Sequence, residues 1–345
     1  MKVLVLLALP LICINALANR WSPGSDPRIM SVKEYRFDEL PLNADLSNTV
    51  KLWANDYWPH RKGLINKRWN TEDQKGFNTT SPTKEMAFKM SSEELAQLAP
   101  SEKLDLLNGN YDYPLKSEVA SRAKHNDPLW WGICNGWAPA SIVHNEPTPK
   151  TLTNPDGLVI PFGSSDIKAL VSYYYAYHHK VPSTNQMGRR CMTGIGPGCS
   201  NDFNAGAFHL VLTNKVGLEG TSFIADIERG RQVWNHAIIK YDSTIVNDNL
   251  APKAGSARGT VRRVQVNTIM SVVMEIKNNS WYPTNGTEDH INAIRNYQYF
   301  LELDAQNNIV GGEWISHARP DFIWTMARAE TFNGQYARIS EMLND

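Results

Sequence analysis

The spacing of apolar and polar residues predicts helices in the first half of the chain. In SSEELAQLAPSEKLDLLNG, apolar residues recur at helical spacing over two short segments. Ser91 or Ser92 is suited to cap the first helix, and Pro100 to begin the second. Asn108-Gly109 is a typical helix end. Further along, LVIPFG predicts a strand, and the side chains that follow it, Ser164, Ser165 and Asp166, are suited to cap the long helix DIKALVSYYYAYHHK.

The second half of the chain has the alternating pattern of strands. Extended segments are predicted for AFHLVLTNKVG, TSFIADIERG, RQVWNHAIIKYDS, VRRVQVNTIMSVVMEI and YFLELDAQNNIVGGEW, the last with a turn at Asn307-Asn308. Helices first and strands later predict an α+β fold. We expect a helix that begins near Cys134 to pack on an antiparallel sheet.

Three segments follow from the pattern. Residues 1–18, with one lysine, an apolar run and a final Ala-Leu-Ala, predict a secretory signal peptide and therefore a secreted protein. Residues 19–90 are rich in Trp, Pro and charge with weak periodicity, and predict an irregular segment that either wraps the main body or is removed as a pro-segment. Residues 91–345 form the predicted catalytic domain.

Composition excludes several classes of protein. The 345 residues are 42% hydrophobic and 20% charged, as in globular proteins. Thirty-five basic residues balance thirty-five acidic ones, so no attraction to nucleic acid or to an anionic membrane is expected.

The cysteines suggest one disulfide and one free thiol. The predicted mature chain keeps Cys134, Cys191 and Cys199. Cys191 and Cys199 flank the turn-rich loop MTGIGPG, which predicts a disulfide between them; the alternative is that both are unpaired and buried. If they pair, Cys134 is the free thiol.

Cys134 lies in WWGICNGWAPAS, where a glycine-rich turn leads into a helix-compatible stretch. A helix N-terminus or a nearby imidazolium lowers a thiol pKa and so favours the nucleophilic thiolate. We expect Gly132 and Gly136 to allow close approach by a substrate, and Pro139 to lie in the first turn of the helix.

A thiol nucleophile needs a base and a group that orients it. His209, on a predicted strand, is the candidate base, and Asp226, on the next extended segment, is the candidate orienting group. Asn235 is the alternative orienting group and His236 the alternative base. Each of these residues is also a common structural residue on its own.

Several stretches resemble the transglutaminase elicitor family of plant-pathogenic oomycetes and marine bacteria. WWGICNGWAPAS is similar to the nucleophile motif of that family, and QVWNHAIIKYD is similar to its surface peptide recognised by plant immune receptors. SEKLDLLNGNYDYPL, LVIPFGSSDIKALVSYYYA, FHLVLTN and LELDAQNNIVGGEW also resemble family segments. The departure is His236, where the peptide has glutamine followed by proline.

The resemblance implies a protein-glutamine γ-glutamyltransferase with a papain-like core, a Cys134-His209-Asp226 triad and a calcium requirement. Its substrates would be glutamine-containing proteins and primary amines or lysine side chains, and host immune receptors are a further candidate partner. No calcium site is assigned, because the Asp105–Asp112 stretch lacks EF-hand spacing. Two alternatives remain open: a secreted cysteine peptidase, since the same triad hydrolyses peptides, and a non-catalytic surface protein recognised by a host.

Overall fold

The computed structural model describes residues 21–50, 52–71, 76–179, 185–191, 204–276, 281 and 291–343. The predicted signal peptide, residues 1–18, lies outside these ranges. None of the helices in the described part of the chain is long and apolar enough to cross a membrane.

Most helices of the described chain lie in its first half, as the pattern predicts. Ser91 forms a capping box with Glu94 at the start of the second helix, and Pro100 is the first residue of the third. Gly109, just past that third helix, has a φ of +74°, the left-handed conformation that ends helices. The helices are α1 Lys84–Ala87, α2 Ser92–Ala96, α3 Pro100–Leu107, α4 Pro114–Arg122, α5 Cys134–Val143, α6 Ser164–Tyr177 and α7 Ala205–Leu212.

Eight strands of the described chain form one antiparallel sheet, and two others form a separate hairpin. The sheet order is β4-β10-β5-β6-β7-β8-β9, with β1 paired to β6 outside this path; β2 and β3 form the hairpin. The strands are β1 Asn43–Asp45, β2 Lys150–Thr153, β3 Val159–Phe162, β4 Gln186–Gly188, β5 Ile224–Asp226, β6 Asn235–Leu250, β7 Arg262–Met274, β8 Ile291–Leu303, β9 Ile309–Trp314 and β10 Phe322–Trp324. The mixture of helices and antiparallel sheet agrees with the α+β prediction.

The segment AFHLVLTNKVG was predicted wrongly as a strand. Residues Ala205–Leu212 form α7, and Thr213–Leu218 continue it as a π-helix. Asn204 caps α7 by accepting the N–H of Gly206. A helix that is buried on every side carries a continuous apolar run, which its sequence pattern does not distinguish from a buried strand.

The N-terminal residues are largely irregular and pack on the main body. Short 3₁₀ helices alternate with extended chain, and β1 adds to the edge of β6. Leu52, Trp53, Trp58 and Ile65 are at most 2% exposed. This segment therefore contributes apolar side chains to the same core as the helices.

The position of α5 is set by its two neighbours, α6 and β6. At Gly136 an added Cβ would lie 2.0 Å from the carbonyl oxygen of Ser172 on α6, so only glycine allows this helix contact. Pro139 was predicted in the first turn of the helix, but it lies in the interior of α5. Helix α3 is tied to α6 by a buried ion pair, in which the ammonium of Lys103 contacts the carboxylate of Asp166 at 2.7 Å.

Candidate functional site

Cys134 is the first residue of α5, and its side chain is a free, buried thiol that is 5% exposed. The residues before it are held by the N-terminal segment. The N–H of Ile133 donates to the carbonyl of Tyr57 at 2.7 Å, and a Cβ added to Gly132 would lie 2.3 Å from the same oxygen. Gly132 and Gly136 thus admit neighbouring parts of this chain. Gly132 also lines a cavity that it shares with Cys134, so the close approach of a substrate there stays a prediction.

A cavity of about 890 Å³ contains Cys134 in its wall. Its size falls within the range of pockets that bind small molecules or extended side chains. Much of the remaining wall is aromatic, formed by Tyr175, Trp130, Trp131, Phe322 and Trp324. A largely apolar wall around a single thiol can exclude water from a bound substrate.

The sulfur contacts the first residues of β6. The side-chain amide Nδ2 of Asn235 donates to Sγ of Cys134 at 3.6 Å, and Sγ donates to the carbonyl of Val233 at 3.8 Å. Nε1 of Trp324 donates to Oδ1 of Asn235 at 2.8 Å. Because this bond occupies the amide oxygen, the amide nitrogen faces the sulfur. Asn235 was predicted only as an alternative orienting group, and Trp324 was not predicted at all.

Burial raises the pKa of the Cys134 thiol to about 11, and hydrogen bonds from the backbone and side chain of Asn235 oppose this rise. The sequence-based expectation was a lowered pKa from the helix N-terminus. Desolvation is the largest contribution to this pKa, and it outweighs the favourable hydrogen bonds. At neutral pH the group is a thiol, and it needs a base to become a nucleophile.

The structure does not bring His209 to this thiol. His209 lies on α7, which packs on β8 and β9, whereas α5 packs on α6 and β6. Nδ1 of His209 is 2.8 Å from the hydroxyl of Tyr299, its ring packs on Phe37, and it is fully buried outside the cavity. Burial lowers its pKa to about 3. The assignment of His209 as base fails because the strand on which it depended is a buried helix.

Asp226 lies close to the site, and among the described residues it has no hydrogen bond to a histidine. It is paired with Asn235 across β5 and β6, and its Oδ1 accepts the N–H of Trp234 at 2.8 Å. Its Oδ2 is buried with no hydrogen-bond partner among the described residues. Burial raises the pKa of Asp226 to about 8. Asp226 therefore supports the backbone just before Asn235 and does not orient His209.

His236, the alternative base, belongs to the core. Its Nδ1 is 2.8 Å from the carbonyl of Val273, and its ring meets that of Trp137 edge-on at 5.8 Å. It is 1% exposed and outside the cavity wall, and burial lowers its pKa to about 4.

Two histidines outside the predicted triad, His60 and His179, line the cavity. Nδ1 of His60 is 3.0 Å from Oδ2 of Asp127, and Nε2 is 3.0 Å from the hydroxyl of Tyr177. The carboxylate requires Nδ1 to carry a proton, which leaves Nε2 as an acceptor. His60 and Asp127 are 67 residues apart, and no sequence signal joins them.

The remaining predicted groups are only partly described. Cys191 is buried, and its backbone N–H donates to Oδ2 of Asp321 at 2.7 Å; Cys199 lies outside the described residues, so the disulfide stays a prediction. Among the described residues, no group of three or more His, Cys, Asp or Glu side chains could hold a metal ion. Asp105 accepts the N–H groups of Leu115 and Lys116, so the Asp105–Asp112 stretch does not fit calcium.

Comparison with known families now identifies the chain. The family model described as transglutaminase elicitor matches residues 31–333. The chain belongs to the transglutaminase elicitor family. The matched range includes both the loop before Cys134 and the strand that begins at Asn235, and it confirms the family resemblance seen in the sequence. No curated protein sequence matches this chain.

A solved structure shares the fold of this elicitor-family member. It is the crystal structure of the GP42 transglutaminase from Phytophthora sojae, with a TM-score of 0.64 and 20% sequence identity, covering 90% of this chain and 92% of that chain. The likeness extends over most of both chains. At this identity it shows the arrangement of helices and sheet and not the activity.

Proposed function

We propose that this elicitor-family protein is a secreted protein-glutamine γ-glutamyltransferase with a papain-like arrangement, in which a nucleophile helix packs on an antiparallel sheet. The observation that carries the proposal is the free thiol of Cys134 at the start of α5, in the wall of an aromatic cavity and hydrogen-bonded by Asn235. Family membership and the transglutaminase-like fold support the same chemistry. The signal-peptide pattern of residues 1–18 supports secretion.

The reaction has two acyl-transfer steps. Cys134 loses its thiol proton, and Sγ attacks the side-chain carbonyl carbon of a glutamine; the C–N bond breaks, and ammonia leaves with an added proton. A thioester then joins the substrate to Cys134. A lysine or other primary amine attacks the thioester, an isopeptide bond forms, and the released proton and the sulfur restore the thiol.

His60 is the described histidine best suited to move these protons. It lines the same cavity as Cys134, and Asp127 holds the tautomer in which Nε2 accepts a proton. Tyr177 occupies Nε2 in this structure, so the hydroxyl must release the ring or pass the proton on. The raised pKa of Cys134, to about 11, makes such a base necessary near neutral pH.

The start of α5 supplies donors for the oxyanion. The first hydrogen bonds within the helix come from Gly136 and Trp137, both of which donate to the carbonyl of Ile133. The N–H groups of Cys134 and Asn135 precede them and belong to the helix end that lacks intrahelical acceptors. One correctly placed donor of this kind contributes about 3–4 kcal/mol to the transition state.

Calcium dependence and host recognition are proposals that rest on the family resemblance. The described residues provide no calcium ligand cluster, and no step above depends on the ion. Val233, Trp234 and Asn235 belong to the stretch QVWNHAIIKYD, which is similar to the recognised surface peptide. Asn235 contacts the sulfur, and Trp234 packs edge-on against Tyr57 at 5.3 Å. The stretch that resembles the immune epitope therefore also positions the thiol.

The test is incorporation of a fluorescent primary amine into a glutamine-rich protein, with and without calcium. We expect incorporation by the wild type and none by Cys134→Ala. His60→Gln should lower the rate at least about 100-fold, as expected for general-base loss, while His179→Gln, which changes the other cavity histidine, should lower it far less. Cleavage of peptides without amine incorporation would identify a cysteine peptidase and overturn the proposal; neither activity would indicate a non-catalytic protein.

A further inference from the structure

We propose that Arg190 forms an anion subsite in the Cys134 cavity, which binds a carboxylate carried by the glutamine donor, such as an Asp or Glu side chain next to the reactive glutamine. The inference rests on the proposed transferase function for its substrate. The binding property itself can be tested separately.

Arg190 is a cation in a wall that otherwise has no permanent charge among the described residues. Its guanidinium carbon lies 5.1 Å from the ring centroid of Trp130, and Nη2 donates to the carbonyl of Arg231. Both contacts hold the guanidinium in place. Neither neutralises its charge.

The guanidinium also has an unused donor. Nε of Arg190 is buried and has no hydrogen-bond partner among the described residues. A buried donor without an acceptor is costly and uncommon in folded proteins. Arginine N–H groups match the oxygens of a carboxylate, and Arg190 is only partly buried in the cavity wall. An anionic ligand would therefore pair with the charge through the Nη groups, and it would reach the buried Nε only if the guanidinium turned.

The nearby carboxyl groups do not fill this role. Asp226 lies within electrostatic range of Arg190, but burial raises the pKa of Asp226 to about 8, so it is largely protonated at neutral pH. Oδ2 of Asp321 accepts the backbone N–H of Cys191 at 2.7 Å and that of Gly230 at 3.4 Å. Within the described residues, the charge of Arg190 therefore remains available to a ligand in the cavity.

The residues that line the cavity favour a donor peptide as the source of the carboxylate. Arg190 and Cys134 share the cavity with the aromatic residues that would hold the glutamine side chain. A carboxylate on a neighbouring residue of the same peptide could contact Arg190 while the glutamine amide reaches Sγ. A lysine acceptor would meet like charge at this position, so the subsite selects on the donor side.

The test compares glutamine peptides with amidated C-termini whose residues beside glutamine are glutamate, serine or lysine. A fourth peptide has serine neighbours and a free C-terminus, which separates a side-chain carboxylate from a terminal one. The readout is kcat/KM for incorporation of a fluorescent amine. For the wild type we expect the glutamate peptide to exceed the serine peptide by about tenfold or more, mainly through KM, because the added contact is a charge-assisted hydrogen bond.

Two variants assign this preference. In Arg190→Gln the ratio of glutamate to serine peptide should fall to near one. Arg189→Gln, which changes the adjacent exposed arginine outside the cavity wall, should keep the wild-type ratio. A wild type without preference for either carboxylate peptide, or a preference that survives in Arg190→Gln, would overturn the anion subsite while leaving the transferase function intact.

Direct binding keeps the two proposals distinguishable. Fluorescence anisotropy of labelled peptides with Cys134→Ser should show at least about tenfold tighter binding of the glutamate peptide, and this gain should be lost in Cys134→Ser/Arg190→Gln. If no peptide incorporates the amine in the activity assay but this binding difference is found, the proposed function fails and the anion subsite stands. Equal binding of all four peptides would exclude the subsite.

Discussion

The indole nitrogen of Trp324 donates to Oδ1 of Asn235 at 2.8 Å, and this bond fixes which end of the Asn235 amide faces the thiol of Cys134. The two residues are 89 positions apart and come from β10 and β6, which both pair with β5. The sheet therefore holds the residue that contacts the sulfur, and the orientation of this residue depends on β10.

Removing this indole N–H should impair catalysis as well as stability. In Trp324→Phe, Oδ1 of Asn235 loses its donor and the amide is free to rotate away from the sulfur. Leaving a buried polar atom unpaired costs about 1–3 kcal/mol, so we expect kcat for amine incorporation to fall about 5- to 100-fold. Steady-state kinetics measures the effect. Trp69→Phe, which removes the indole bond of 2.9 Å to Asp166 outside the cavity, should change thermal stability and leave kcat near wild type; equal losses of kcat in both variants would contradict the prediction.

Alkylation of Cys134 should have a strong pH dependence. Because burial raises the pKa of this thiol to about 11, only a small fraction is thiolate at pH 7. The rate of reaction with iodoacetamide should rise about tenfold per pH unit between pH 7 and 10, since the thiolate is the reactive species. Protein unfolded in urea serves as the control and should level off above the ordinary thiol pKa of about 8.5. A native rate that is already constant below pH 8 would show an ionised thiol and contradict this assignment.

Asp226 should make the protein less stable as pH rises. Its pKa is about 8 in the folded protein and 3.8 as the ordinary value, so the folded state binds the extra proton between these values. The contribution of this group is fully present below about pH 4 and is lost progressively as pH rises to about 8. Asp226→Asn should remove that loss, so its melting temperature should exceed wild type more at pH 8 than at pH 5. Thermal unfolding at both pH values is the measurement, and an equal difference at both would exclude the raised pKa.

Breaking the buried pair of Lys103 and Asp166 should be strongly destabilising. Both side chains are fully buried, with Nζ and Oδ2 2.7 Å apart, and Asp166 also accepts the N–H groups of Trp69, Trp281 and Gly163. Lys103→Met would leave an uncompensated carboxylate, with an expected cost of about 3–5 kcal/mol in urea unfolding. Lys84→Met, which breaks an exposed pair with Asp156, should cost at most about 1 kcal/mol. Similar costs for the two variants would be inconsistent with this account.

The helices and the sheet could largely be predicted from local signals, because these signals lie within a few residues of one another. The capping box of Ser91 and Glu94, Pro100 and the alternation in β7 and β8 all determine structure at short range. The position of Cys134 at the start of a helix could also be predicted, because the glycine-rich turn and the helix-compatible stretch are adjacent in the sequence. The wrongly predicted segment, residues 207–217, begins with a mostly apolar run, and only its burial against β8 and β9 decides between strand and helix.

The partners of the thiol could not be predicted in the same way. His60 reaches Asp127, and Asn235 reaches Trp324, through tertiary contacts across 67 and 89 residues. Choosing His209 assumed that a histidine on a nearby strand would face the cysteine, but its helix places it against Tyr299. The sign of the Cys134 pKa shift likewise depends on burial, which a sequence pattern does not reveal.

Replacing Trp53 should destabilise the protein strongly, as expected if the N-terminal segment is an integral part of the main domain. Trp53 is 1% exposed; its indole donates to the carbonyl of His144 at 3.1 Å, and its own carbonyl accepts the indole N–H of Trp137 on α5 at 3.0 Å. Removing a fully buried tryptophan leaves a large cavity, so Trp53→Ala should cost about 3–5 kcal/mol in urea unfolding. Trp131→Ala, at a site that is 41% exposed, is the matched control and should cost much less. If Trp53→Ala unfolded within about 1 kcal/mol of wild type, the segment would behave as a removable pro-segment, because surface substitutions typically cost no more than this.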